Sequence, residues 1–412
     1  MNKIKALLFI IAIIPSCFSQ NDTSTPYSLF GLGVENKTAT GGLTGLGNTG
    51  ISQNNAGEIN LFNPASLGNI KLNTFLYEFG VNGMYSTIQT DNVSENTSDY
   101  NMSHVVMAFP LTKNLGMSFG LLPYTKVGYD IDIESPIEGS TETYISRITG
   151  SGGLNKFYVS SGLSLGNRLS LGIDLSVLFG SINQETNVYY ESLVNIKDVN
   201  YYNGVKLKAG LQYQLIKAEN KAVTLGAVVE LPTNLSGSQE RSSYKTSTSG
   251  SKVTIGEDTE NDLDDFELPL SLGFGVTTKL NNTVTTSFDF TKLYWDNTNQ
   301  LQNNERYTNQ DIYAFGAEYL PAGRNNKYWS LVKYRFGLNY NTGFLNISNQ
   351  KIDSYFASVG LGLPLSNRAK LNISYSYGKE GTINNSLVEE NFHKITINLN
   401  FIGNWFNKRQ YD

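Results

Sequence analysis

From Thr74 onward the chain alternates apolar and polar residues with period two. In "NRLSLGIDLSVLFGS", Leu169, Leu171, Ile173, Leu175, Val177 and Phe179 share one face. Ser170, Gly172, Asp174, Ser176 and Gly180 share the other, with Leu178 the exception. "AKLNISYSYG" sets Leu371, Ile373, Tyr375 and Tyr377 against Asn372, Ser374 and Ser376. "HKITINLNF" sets Ile395, Ile397, Leu399 and Phe401 against Thr396, Asn398 and Asn400. Such alternation predicts strands with one apolar and one polar wall. The stretches number about fourteen, an even count as bacterial outer-membrane barrels require. They begin near Thr74, Met102, Leu115, Lys156, Leu169, Gly204, Ala222, Leu268, Thr283, Asp311, Trp329, Ile352, Lys370 and Phe392.

A soluble sandwich would alternate too, so the connections decide. Those near 112, 166, 217, 280, 323 and 366 are short. Those near 91–101, 131–155, 184–202, 233–267, 296–310, 342–351 and 378–391 are long. Short turns at one end and long loops at the other mark an outer-membrane barrel, and an even strand count returns both barrel ends to the short-turn, periplasmic side. Trp295 beside Tyr294, Trp329 beside Tyr328, and Trp405 with Phe406 suit two interfacial aromatic girdles.

Composition sharpens this. Of 412 residues, 39 are Gly, 25 Tyr and 21 Phe, and only 16% are charged, against about 25% in ordinary soluble chains. A net charge of -5 argues against nucleic acid as a partner. No long apolar run follows the leader, and a membrane protein without helices must be a closed barrel, because lipid cannot satisfy a sheet edge.

The leader itself is "MNKIKALLFIIAIIPSCFSQ": Lys3 and Lys5, then an apolar core from Ala6 to Ile14 too short to span a bilayer. Cleavage is expected after Ser19, making 1–19 a signal peptide and Gln20 the mature start. A lipoprotein cut before Cys17 is the alternative, which Pro15 disfavours. Without Cys17 the mature chain has no thiol chemistry and no disulfide.

Residues 20–73 precede the first strand and do not alternate. "GGLTGLGNTGIS" can take tight, irregular paths, and in "LFNPASL" Pro64 stiffens the chain and biases Asn63 towards an extended conformation. A barrel of this width is not filled by its own side chains and either conducts water or holds a plug. The expected organisation is therefore a plug over 20–73, turning at Asn63, Pro64 and Ala65, a barrel over 74–402, and a periplasmic tail over 403–412.

"YSLFGLG", "GGLTGLGNTGI", "LFNPASL" and "NTFLYEFGV" together resemble the start of the FadL-like family of outer-membrane transporters, and "LNFIGNWFNKRQYD" is similar to the ends of its distant members. The likeness covers the whole layout and is motif-specific around Asn63, Pro64 and Ala65. It implies a glycine-rich hatch inside a fourteen-stranded barrel. It also implies passive diffusion of fatty acids or other apolar molecules, which leave sideways through a kinked third strand. In this chain that strand reads "LGMSFGLLPYTKVGYDI", and Pro123 cannot donate to a ladder. The apolar set keeps its parity across it, with Phe119 and Leu121 before and Val127 and Tyr129 after. That favours a local loss of pairing over a one-residue bulge and makes Pro123 the candidate lateral gate.

Signals for chemistry are weak. His104 and His393 sit in no Ser-His-Asp or metal-spaced set, and read as polar histidines on a lumen face or rim. "EDTENDLDDFE", 257–267, lacks the glycine and spacing of a calcium loop and reads as a solvated acidic loop. No enzyme activity, cofactor or metal is expected. Glu78, Asp174, Lys206, Lys208, Glu230, Asp289, Glu318, Lys333 and Arg335 lie in the polar phase. Facing lipid, each basic group would cost about 2–4 kcal/mol, so they should face inward as pairs. The expected partners are outer-membrane lipid, hydrophobic small molecules and other envelope proteins of a Gram-negative bacterium. The alternative function is a non-transporting structural subunit of a secretion, barrel-assembly or nutrient-uptake complex. Long loops rich in Ser, Thr, Asn and Asp favour it.

Overall fold

The computed structural model describes residues 25–404 apart from 37, 138, 191, 219, 247–250, 257, 299–300, 303–304, 322–327 and 348. The leader, Cys17 and the Trp405–Phe406 pair lie outside the described residues.

Fourteen antiparallel strands form a closed barrel. β1 is Thr74–Gln89, β2 Ser94–Pro110, and β3 runs in two pieces, Leu115–Pro123 and Thr125–Pro136. β4 is Thr143–Leu165, β5 Leu169–Tyr190 and β6 Ser192–Lys217. β7 comprises Ala222–Glu230 and Thr233–Thr246; β8 comprises Thr259–Leu268 and Ser271–Lys279. β9 is Val284–Leu293, β10 Gln310–Tyr319, β11 Lys333–Asn341, β12 Ser354–Ser366, β13 Ala369–Gly381 and β14 Glu389–Asn404. β14 pairs along its whole length with β1, so the sheet closes. No helix among the described residues is long and apolar enough to cross a membrane.

The alternation maps onto the two walls. Leu171, Ile173, Leu175, Val177 and Phe179 are exposed on the outside, while Ser170, Asp174 and Ser176 are buried inside. Leu178, the exception in the pattern, is fully buried. β5 turns it inward against Leu32, Val127 and Leu154, where an apolar side chain is wanted.

The expected long loops at 131–155, 184–202 and 233–267 are corrected: most of their residues are strand. β4, β5 and β6 are 23, 22 and 26 residues long, where about 9–11 tilted residues cross a bilayer. β3 to β8 thus continue as a sheet beyond the membrane. That sheet is wet on both faces, so it needs no alternation, and its Thr, Tyr and Val content sustains the extended backbone. Residues 259–267 of the acidic run lie within it, in the upper piece of β8. A second, small sheet joins Leu301–Gln302, Glu305–Tyr307, Leu345–Ile347 and Gln350–Lys351 near the barrel mouth.

Candidate functional site

Much of the described part of residues 25–70 packs against inward-facing residues of the barrel strands. Asn63 caps a short 3-10 helix, Pro64–Asn69, and its Oδ1 accepts from Ala65 N at 3.0 Å. Pro at the first position suits the turn, since its missing donor would be unused there. Asn63 Nδ2 donates to Ile51 O at 2.7 Å and to Leu211 O of β6 at 3.1 Å. Asn63 and Ala65 are both fully buried.

The wall makes room for this turn with one row of glycines. Gly162 of β4, Gly172 of β5 and Gly210 of β6 are directly paired neighbours. A Cβ at Gly172 would overlap Pro64 C and Ala65 N, and one at Gly210 would overlap Asn63 Oδ1. Gly337 of β11 serves the "GLG" stretch likewise, where Gly47 turns through φ +64. The sequence reading missed these seats, although the glycines recur at inward positions of "SSGLSL", "LSLGIDL" and "KAGLQ".

Charged side chains of the polar phase fasten the segment from the wall. Asp289 of β9 accepts from Gly50 N at 2.6 Å and Ile51 N at 2.9 Å. Arg335 of β11 pairs with Glu318 at 2.8 Å, and Glu58 of the segment lies 3.6 Å from Lys370 and 4.0 Å from Arg335. Burial alone would raise the Glu58 pKa, but Lys333, Arg335 and Lys370 outweigh it and hold the carboxyl at about 2. Lys206 and Lys208 both reach Glu230, at 2.5 and 2.8 Å.

The histidines separate. His104 is fully buried in β2; its Nε2 lies 3.0 Å from Glu78 Oε1 and its Nδ1 3.1 Å from Ser103 Oγ. Glu78 also accepts from Gly41 N and Asn400 Nδ2, so this chain of bonds anchors the segment. His393 faces outward among Tyr85, Tyr375 and Tyr377. The girdle expectation for Trp295 is corrected. It is buried, stacked on Phe344 at 4.8 Å, and donates to Gln310 at 3.3 Å. The turn after β9 carries it inward.

The wall itself is interrupted between β2 and β3. Their pairing runs from Pro110↔Gly116 to Val105↔Leu121 and stops. Above that, Ser94–His104 of β2 pairs only with β1 among the described residues. The upper piece of β3 pairs with β4 on one side, and on the other with Val34–Glu35 of the N-terminal segment. Lys126 of β3 forms an ion pair with Asp99 of β2 across the opening.

Both borders carry an extra residue. On β3, three residues, 124–126, face two on β4 between Pro123↔Asn155 and Val127↔Gly152. On β2, Gly80↔His104 is followed by Val81↔Met102, leaving Ser103 over. Each insertion flips the faces. Leu121 is exposed on the outside, whereas Val127 and Tyr129 are buried inside. The expectation of lost pairing without a bulge is therefore corrected. The apolar set keeps its parity because it changes partner, from lipid below to Leu32 and Leu154 above.

A cavity of about 700 Å³ lies behind the opening. Asp99, Asn101 and Ser103 of β2, Pro123, Thr125 and Lys126 of β3, Phe356 of β12 and Phe392 of β14 line it. A smaller one, about 40 Å³, is bounded by Leu32, Tyr124, Phe266, Trp295 and Phe344.

A closed fourteen-stranded barrel with outward apolar residues, inward paired charges and an opening at its third strand defines an outer-membrane barrel of the FadL-like channel fold. Solved structures agree. The Pseudomonas putida toluene transporter TodX is 14% identical, with a TM-score of 0.63 over 91% of this chain and 100% of that one. The Ralstonia pickettii toluene transporter TbuX is 14% identical, with a TM-score of 0.62 over 89% of this chain and 98% of that one. A Pseudomonas aeruginosa FadL homologue is 13% identical, with a TM-score of 0.61 over 89% and 98%. At these identities the likeness is one of fold. No curated protein matches the chain. Over residues 1–412 it matches the family model described as BamG, and it belongs to that family.

Proposed function

We propose that the protein is a plugged outer-membrane barrel, with both mature termini periplasmic, that passes small hydrophobic molecules passively between its chamber and the surrounding lipid through the wall at β2 and β3. The observation that carries this reading is the end of β2–β3 pairing at Val105↔Leu121. Backbone groups left unpaired at membrane depth are costly unless a water-filled cavity or a partner satisfies them. An edge kept open beside a cavity is therefore a feature with a use. Residues 25–73 act as the plug, turning at Asn63, Pro64 and Ala65, and Pro123 marks the gate. The toluene transporters of the same fold support the cargo class.

A second reading has its own support. The chamber's lining includes many Asn, Ser and Thr side chains beside its apolar ones, more polar groups than an apolar cargo needs, and the family over the whole chain carries a name, BamG, apart from the hydrocarbon channels. In this reading the barrel is a non-transporting subunit of a multi-protein outer-membrane complex, and the sheet beyond the membrane from β3 to β8 meets its partners. Purification from its own outer membrane followed by native mass spectrometry separates the two. Monomers carrying lipid-sized adducts support transport. Stoichiometric envelope partners without adducts sink it. Cysteines at Asp99 and Lys126, joined by a short bis-maleimide, should abolish passage into proteoliposomes if the opening is the route.

A further inference from the structure

We infer that the large chamber holds the head of a neutral, polyhydroxylated amphiphile, a sugar-headed molecule whose alkyl chain leaves through the opening between β2 and β3. The inference rests on the transport reading and narrows its substrate class.

The lining is amphiphilic, with polar side chains set among apolar ones such as Met84, Leu154 and Phe356. Asn82, Asn101, Asn339 and Asn341 line it. Asn101 Nδ2 donates to Asp99, Asn339 Nδ2 to Gly47 O, and Asn341 Oδ1 accepts from Gln310 and Gly343. The remaining carboxamide donors and acceptors match a sugar hydroxyl, which does both. An alkane there would strip water from these groups and return no hydrogen bond. Thr38 Oγ1, also lining the chamber, is buried with no hydrogen-bond partner among the described residues.

Two rings supply a platform. Phe356 and Phe392 flank Gly378 on the intervening strand. A Cβ there would lie 2.5 Å from Phe392 Cζ and 2.6 Å from Phe356 Cβ, so the glycine is what lets the Phe392 ring lie across that strand. The face of an aromatic ring is negative and attracts the C–H face of a pyranose.

The balance of charge disfavours the acidic alternatives. The chamber is lined by four carboxyl groups, Glu35, Asp99, Glu380 and Glu390, against two amines, Lys126 and Lys394. This balance repels a fatty-acid carboxylate or a phosphate head and leaves neutral hydroxyls welcome. Outside the opening, Tyr100 is 66% and Met102 43% exposed on the lipid face of β2, an apolar track for a chain leaving the chamber.

The test uses the full-length protein in amphipol, free of detergent, with dodecyl maltoside, laurate and maltopentaose as probes in equilibrium binding. Dodecyl maltoside should bind saturably and at least tenfold more tightly than laurate. Asn101→Ala and Phe392→Ala should each weaken it at least fivefold, with Asn82→Ala replacing any variant that does not migrate as a folded barrel. Maltopentaose binding as tightly as the maltoside would assign the site to a free glycan, with the same recognition chemistry. Laurate binding as tightly as the maltoside, or maltoside binding indifferent to the variants, overturns the inference. Glycoside binding without passage into liposomes would leave the inference and remove transport. Passage of apolar probes without glycoside binding would do the reverse.

Discussion

The seat of the Asn63 turn and the border between β2 and β3 solve the same problem in opposite ways. At the seat, three neighbouring strands stay in register and give up side chains, so that Gly162, Gly172 and Gly210 admit backbone against backbone. At the border, the strands keep their side chains and give up register, with Ser103 and Tyr124–Lys126 absorbing the insertions. The first arrangement leaves no space and immobilises what it holds. The second leaves a cavity and an edge. A barrel wall can thus be modified by deleting side chains or by inserting residues, and only insertion opens it.

The sharpest way to break the comparison is Gly172→Leu. The seat has no room for a Cβ, and overpacking of this kind costs about 1–3 kcal/mol, more where backbone is the obstacle. The N-terminal segment should become protease-sensitive and ion conductance in planar bilayers should rise. A sealed, resistant variant would contradict the seat. Acid comes next. Glu58 is held at about 2 against an ordinary 4.5. Its contribution is complete above pH 4.5 and lost as pH falls through 2, about 3 kcal/mol in all. Protection of the segment from pepsin should fall through that window, and Glu58→Gln should flatten the profile. Asn63→Ala removes the cap and the bonds to Ile51 and Leu211, leaving the buried Ala65 N–H without its acceptor at a cost of about 1–2 kcal/mol; the readout is hydrogen exchange at Ala65 and Ser66. The smallest effect is expected from Pro123→Ala, under about 1 kcal/mol. Tyr124 N donates to Leu154 O of β4, so the donor restored at 123 points the other way, into an opening set by the inserted residues. Its melting and passage rates should match the parent chain, and a closed wall would return the gate to the proline itself.

Alternation and turn lengths carried the barrel, because lipid outside and polar lumen inside impose period two on every crossing residue. They did not carry the sheet from β3 to β8 above the membrane. There both faces are wet, and "SGSQERSSYKTSTSGSK" reads as loop although 233–246 is strand. The inward charges were legible from their cost in lipid, and Glu78, Asp289 and Arg335 are all buried. Pro123 drew attention to the right strand, but parity misled. Val127 and Tyr129 continue the apolar rhythm of Phe119 and Leu121 while facing the opposite way, a change of environment that residue types alone do not encode. Trp295 misled for a related reason: an aromatic beside a loop suits an interface and a packed core equally well.

The seam between β1 and β14 has a kinetic consequence. It joins residues 300 positions apart at Gln89↔Glu389 and 330 apart at Thr74↔Asn404, contacts that form slowly because the intervening chain must first be ordered. The described N-terminal segment bonds to β6, β7, β9, β11 and β14. If that seam is the last to zip, the N-terminal segment has to be in place before it. A segment held inside when the ring shuts would then be retained by the ring's own closure.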